Sequence, residues 1–108
     1  MSQSDPTVVA IPALEALRSL CRRYHVRRLD LFGSAVTGRF DPAHSDLDML
    51  VVFDYLPPGP YADAYFALKQ GLESLYGRDV DLVTDAALQN PYLRRAVVAQ
   101  RETLFTVE

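Results

Sequence analysis

The 108-residue chain has no tryptophan and a single cysteine, Cys21. A disulfide within the chain is therefore excluded. Cys21 falls on an apolar helical stripe and reads as a small buried hydrophobe rather than a reactive thiol. There is no basic excess: 11 Lys and Arg stand against 14 Asp and Glu, for a net charge of −3. A dedicated nucleic-acid coat would carry a basic surface, so no direct nucleic-acid partner is expected. A nucleotide ligand stays open, because a bound cation neutralises local acid and phosphate together. No apolar run approaches the ~20 residues that span a bilayer. The opening Met1-Ser2-Gln3-Ser4-Asp5-Pro6 lacks the basic and apolar regions of a secretory leader. A cytoplasmic location with no membrane partner is the expectation. Neither G-x-x-x-x-G-K-[ST] nor G-x-G-x-x-G occurs, which excludes the P-loop and Rossmann fingerprints. Repeats and low-complexity segments are absent.

What is present is enough for one modest core. The chain is 49% hydrophobic, and its length fits one domain. Residues 1–10 carry no pattern and are expected to form a flexible arm, leaving 11–108 as the domain. Ile11, Leu14, Leu17, Leu20, Cys21 and Tyr24 recur at helical spacing, with Pro12 suited to a first turn. His25 is expected to end this helix. Strands are predicted over His25–Phe32, Asp46–Phe53 and Asp79–Val83, and a last short one over Leu104–Val107. Asp46–Phe53, apolar on both faces after Asp48, reads as a central strand. A helical turn is predicted over 35–38 and a loop over 39–45, marked by Asp41-Pro42. A loop is predicted over Asp54–Pro60, containing Pro57-Pro58-Gly59-Pro60, and Pro57–Tyr61 is a plausible interaction loop. A helix follows over Tyr61–Tyr76, with Tyr65, Leu68, Leu72, Leu75 and Tyr76 inward and Gly77 just past its end. Asn90-Pro91 reads as an N-cap with proline at the first position of a helix reaching about Arg101. This order predicts an α/β (α+β) domain: a small mixed β-sheet backed by helices.

One strand carries charge that a core strand has no use for. Asp46 and Asp48 in Ser45-Asp46-Leu47-Asp48 point to the same face, ~7 Å apart along a strand of period two. Like charges so close repel and raise each other's pKa. A divalent cation removes that cost, since carboxylate oxygens are the ligands Mg²⁺ prefers. A third acid from a neighbouring strand would complete a two-metal site. Asp81 is favoured over Asp79, because it lies in mid-strand between Val80 and Leu82 while Asp79 adjoins the preceding turn. D-x-D alone is a weak pattern, common at exposed strand edges.

The turn upstream strengthens it. Gly33 follows an apolar strand and lets the backbone approach a ligand closely. Ser34 offers a hydroxyl and a backbone N–H, and a helix start adds further donors. Alone, this pair reads as an ordinary strand-to-helix turn capped by serine.

Leu31-Phe32-Gly33-Ser34, an eleven-residue spacer, and Ser45-Asp46-Leu47-Asp48-Met49-Leu50-Val51 together resemble the nucleotidyltransferase superfamily related to DNA polymerase β. The small size is similar to the minimal nucleotidyltransferases encoded beside HEPN-domain proteins as toxin–antitoxin pairs. The likeness continues in Gly77-Arg78-Asp79-Val80-Asp81-Leu82-Val83 and Asn90-Pro91-Tyr92-Leu93-Arg94-Arg95. The resemblance implies a nucleotidyltransferase fold. It implies that Gly33 and Ser34 hold the β- and γ-phosphates of a nucleoside triphosphate. It also implies that Asp46 and Asp48 bind two Mg²⁺ ions, and that Asp81 ligates the metal on the nucleophile side. The activity implied is AMP transfer from Mg·ATP to a hydroxyl acceptor, a tyrosine of a HEPN-type toxin. Relatives carry basic residues just after Gly-Ser. Here Ala35 and Thr37 are neutral, and Arg39 is the candidate replacement.

Other residues have plainer readings. His44 is a solvated loop histidine, Arg94 and Arg95 a solvated helix face, and Tyr61, Tyr65, Phe66 and Tyr76 core or partner surface. Two alternative functions stand beside the first. One is a non-catalytic antitoxin with a vestigial nucleotide site, to which neutral Ala35 and Thr37 point. The other is nucleotidyl transfer to a small molecule, which generally needs an added helical domain to hold the acceptor.

Overall fold

The computed structural model describes residues 14–33, 36 and 46–107. The expected arm over 1–10, the helix onset at Ile11 and Pro12, Ser34, and the 39–45 loop with Arg39 and His44 lie outside the described residues.

Helix α1 spans Leu14–Arg23, with Arg22 and Arg23 in its last turn, where cations meet the negative end of the helix dipole. His25 stops it at φ 64°, and its N–H still reaches the Arg22 carbonyl. Strand β1, Val26–Phe32, runs antiparallel to β2, Leu47–Phe53. Strictly alternating side chains cannot put Val26, Leu29 and Leu31 on one face. A register shift between Val26 and Arg28 inserts the extra residue that does so, and all three are buried.

Helix α2, Pro58–Tyr76, provides the crossover that a parallel pair requires, and β3, Val80–Thr84, lies parallel to β2. A 3₁₀ segment, Asp85–Gln89, leads to helix α3, Pro91–Gln100. Asn90 caps α3 as expected: its side-chain oxygen accepts from the Tyr92 and Leu93 N–H groups. Strand β4, Glu102–Thr106, returns antiparallel to β1. The sheet order is β3-β2-β1-β4, a mixed sheet with β2 inside it.

The two sheet faces are filled unequally. Leu29, Leu31, Met49, Val51, Val80, Leu82 and Phe105 meet Leu17, Cys21, Ala64, Leu68 and Leu72 of α1 and α2 in the main core. On the other face the described residues form a small cluster. Phe32, Leu50 and Val97 are buried there, with Val83, Leu88 and Leu93 around them. No helix among the described residues is long and apolar enough to cross a membrane.

The structure corrects several sequence expectations. The Pro57-Pro58-Gly59-Pro60 segment is not a loop but the start of α2, with the first helical bond from Tyr61 N–H to the Pro57 carbonyl. Prolines fit there because first-turn N–H groups have no partner within the helix. Leu14 is 42% exposed rather than part of the buried stripe. The 3₁₀ segment has no hydrophobic period to announce it, and it was not expected. Asp46 and Asp79 each precede their strand by one residue.

Leu72 is fully buried between α2 and the sheet. Leu72→Ala is expected to cost about 2–5 kcal/mol of folding stability. Asn90→Ala, which removes the α3 cap, should cost about 1 kcal/mol. Urea denaturation followed by circular dichroism measures both.

Candidate functional site

Asp48 lies at the start of β2, where three elements converge. Across the parallel pair its register partner is Asp81 on β3. Across the antiparallel pair it is Phe32, the last residue of β1. Directly opposed residues share a face, so Phe32, Asp48 and Asp81 form one row on the thinly covered side of the sheet.

Gly33 follows Phe32 at once, with φ +73°. A Cβ placed there would stand 2.3 Å from the Asp48 Oδ2, a distance no real contact tolerates. Glycine is therefore required twice, by its left-handed backbone and by the carboxylate lying against it. The Gly33 carbonyl accepts from Val36 N–H at 3.1 Å, which closes the turn.

Asp81 sits on an edge strand, and edge strands need anchoring. On the inner side, Leu47 N–H donates to the Asp79 carbonyl at 3.1 Å. On the outer side, the Glu73 carboxylate of α2 accepts from Val80 N–H at 3.1 Å and from Lys69 Nζ at 2.9 Å. Those donors, Lys69 first, hold the Glu73 carboxyl below the usual range. Tyr65 of α2 donates its hydroxyl to the Leu82 carbonyl. Helix α2 thus fixes the residues on both sides of Asp81.

The electrostatics centre on Asp48. Burial raises its pKa from the ordinary 3.8, and the Asp81 and Asp46 carboxylates raise it further. Asp46 and Asp81 are exposed and Asp48 is partly buried. Asp79 is not among the groups acting on Asp48. Among the described residues no three carboxylate, imidazole or thiolate side chains already converge as metal ligands do. The donor set nevertheless suits a hard divalent cation: oxygen ligands, mutual repulsion, and two of the three side chains at the surface. Of the residues singled out from sequence, Asp46, Asp48, Asp81 and Gly33 come together here.

Three further residues fall elsewhere. Cys21 is buried and its thiol is pushed up to about 12, mainly by desolvation, as an inert core thiol should be. Arg94 and Arg95 are exposed in the first turns of α3, which begins at the end of the sheet opposite Asp48. One charged residue escaped notice in the sequence: Asp30 on β1 is fully buried. Its two oxygens accept from Arg28 Nε at 3.0 Å each. The period-two pattern puts Asp30 on the face of Phe32 and Asp48, but nothing local reveals its partners.

A raised native pKa makes the ionised form a burden on the fold. Stability is expected to fall as pH rises from the ordinary Asp value through the raised value of Asp48. Asp48→Asn should therefore raise the melting temperature of metal-free protein near neutral pH, with the gain shrinking toward pH 4. Gly33→Ala should lower the melting temperature, through a stability loss of at least the roughly 1–2 kcal/mol of a left-handed non-glycine residue. Thermal melts across pH test both.

Comparison with known proteins places the chain. A family model described as a nucleotidyltransferase domain matches residues 14–103. The Methanocaldococcus jannaschii protein "Putative protein adenylyltransferase MJ1379" is 33% identical over 75 residues, covering 69% of this chain and 73% of that protein. A crystal structure of a toxin–antitoxin with AMP-PNP matches with a TM-score of 0.61 at 29% identity, covering 88% of this chain and 74% of that one. A structure of a tri-AMPylated Shewanella oneidensis HEPN toxin in complex with an MNT antitoxin matches with a TM-score of 0.56 at 28% identity, covering 87% and 70%. The chain belongs to the nucleotidyltransferase domain family, and it is a nucleotidyltransferase of the minimal type.

Proposed function

We propose that this protein is a cytoplasmic antitoxin that transfers AMP from Mg·ATP to a hydroxyl acceptor, a tyrosine of a HEPN-type toxin. The observation that carries the reading is the carboxylate row: Asp48 faces Asp81 across β2 and β3, with the Gly33 backbone packed against Asp48. A row of mutually repelling acids beside a glycine turn is a poor structural motif and a good receptacle for a cation-bound triphosphate. The relatives add the chemistry, one named "Putative protein adenylyltransferase MJ1379" and another an antitoxin in complex with an AMPylated HEPN toxin.

In this reading Asp46, Asp48 and Asp81 hold two Mg²⁺ ions. The ions, when bound, supply charge stabilisation for the attacking and leaving oxygens of an in-line displacement. Asp48, already desolvated, provides the fixed central ligand. Exposed Asp46 and Asp81 have room to turn toward it. The Gly33-Ser34 turn, with Arg39, receives the β- and γ-phosphates. Asp81, on the exposed edge strand, helps draw the proton from the acceptor hydroxyl. The new bond joins acceptor oxygen to the α-phosphorus, the α–β bridging bond breaks, and pyrophosphate leaves. Helix α2 keeps Asp81 in place through Glu73 and Tyr65.

The test is transfer of label. The protein, Mg²⁺ and α-labelled ATP are incubated with the product of the adjacent gene, and label is expected on that product. Asp46→Asn/Asp48→Asn should abolish it. Label that survives the double change sinks the metal assignment. Toxin neutralisation in a tight complex without any label would favour a binding module.

A further inference from the structure

Helix α3 climbs from the far end of the sheet toward the carboxylate row, and the chain re-enters the sheet there as β4. Glu102 pairs with Leu31 of β1. One step further along the same antiparallel register, Arg101 falls beside Phe32. Phe32 pairs with Asp48, and Asp48 with Asp81. Continued by that one step, the register sets Arg101, the extended residue just before β4, in line with the Phe32, Asp48 and Asp81 row. Strands are spaced by about 4.8 Å, so Arg101 stands roughly 10 Å from Asp48, on the other side of the strand that ends in Gly33.

The face is the same as well. Arg101 Nη1 lies 3.8 Å from Asp30 Oδ2, and Asp30 shares the side of the sheet that carries Phe32 and Asp48. This ion pair is long and single-pointed. Asp30 is already held by Arg28 Nε at 3.0 Å to both oxygens, and Arg28 is itself steadied by Thr103 Oγ1 at 2.9 Å. Among the described residues, two guanidinium groups thus share one carboxylate. The weaker-bound of the two, Arg101, has a side chain 34% exposed. It also stands at the C-cap of α3, where the negative end of the helix dipole would otherwise repel an anion.

We infer that Arg101 binds the triphosphate, meeting the β- and γ-phosphates on the side of the Gly33 turn away from the carboxylates. Asp30 acts as its resting partner: it holds the guanidinium beside the site and gives it up to phosphate. Phosphate is the better partner, since it offers the planar fork two oxygens rather than one. The inference rests on the proposed nucleotidyl transfer and extends it to a residue outside the Gly-Ser and Asp-x-Asp motifs.

Calorimetric titration tests it, with two probes: α,β-methylene ATP in the presence of Mg²⁺, and AMP. Arg101→Ala is expected to weaken the triphosphate analogue about 10- to 100-fold, the loss of a charge-assisted hydrogen-bonded pair, while AMP binds as to wild type. Arg101→Lys, which keeps charge and loses the fork, should fall between, and it serves where the alanine variant does not fold. An unchanged affinity for the analogue in folded variants overturns the inference. An equal loss for both probes assigns Arg101 to structure alone and also overturns it. Wild-type protein that binds no triphosphate overturns the nucleotidyl-transfer reading together with this one, which separates the two failures.

Discussion

A carboxylate pressed against a glycine backbone is the constraint on which the rest of this molecule turns. Asp48 is partly desolvated, faces a second aspartate across the sheet and has a third two residues before it. Each of these raises the free energy of its charged form. Asp48 Oδ2 fills the space that a Cβ on Gly33 would occupy, so a side chain there would force the carboxylate to shift. The opposing sheet face, with Leu17, Leu68 and Leu72 fully buried against Leu29, Met49 and Val51, supplies the stability that this arrangement spends.

The division of labour between the two faces follows. Helices α1 and α2 cover one side, where the buried side chains are apolar. Among the described residues, the other side has one helix and a small cluster around Phe32, Leu50 and Val97, and Asp46 and Asp81 are exposed at the start of β2 and β3. A parallel pair supplies the acids, and its crossover helix α2 also restrains the edge strand that presents Asp81. Beyond β1, the buried Asp30 ties Arg28 and Arg101 into the same face. An unpaired carboxylate there would carry a large desolvation cost, so the arginines are as necessary to Asp30 as it is to their placement.

Much of this was legible in the chain itself. The alternation of Asp48 with Met49 and Leu50 fixed which side of β2 carries charge. Asn90-Pro91 announced the start of α3, and Gly77 the end of α2, where it adopts φ 65° and donates to the Glu73 carbonyl. The choice of Asp81 over Asp79 followed from strand position, and the structure sets Asp81 opposite Asp48. At Pro57–Pro60 the prolines are ambiguous, because the same residues serve a loop and a first helical turn, and here they start α2. Leu14 misled for another reason: helical spacing identifies a stripe, yet the end of a stripe is buried only if a neighbour reaches it.

By itself the sequence determined local matters: the helix ends, the two-residue period of β1 and β2, the need for a glycine before the acidic strand, and the motif that carries the family likeness. These depend on backbone sterics and on residues close in the chain. The tertiary structure alone decided which distant residues stand side by side. It set Asp81 in register with Asp48 through a parallel pairing, bent β1 so that Val26 joined Leu29, and delivered Glu73 to the edge of β3. It also brought Arg101 to Asp30, on the face of the sheet that carries Asp48. Strand pairing is fixed by the packing of whole faces, and no short stretch of sequence contains that information.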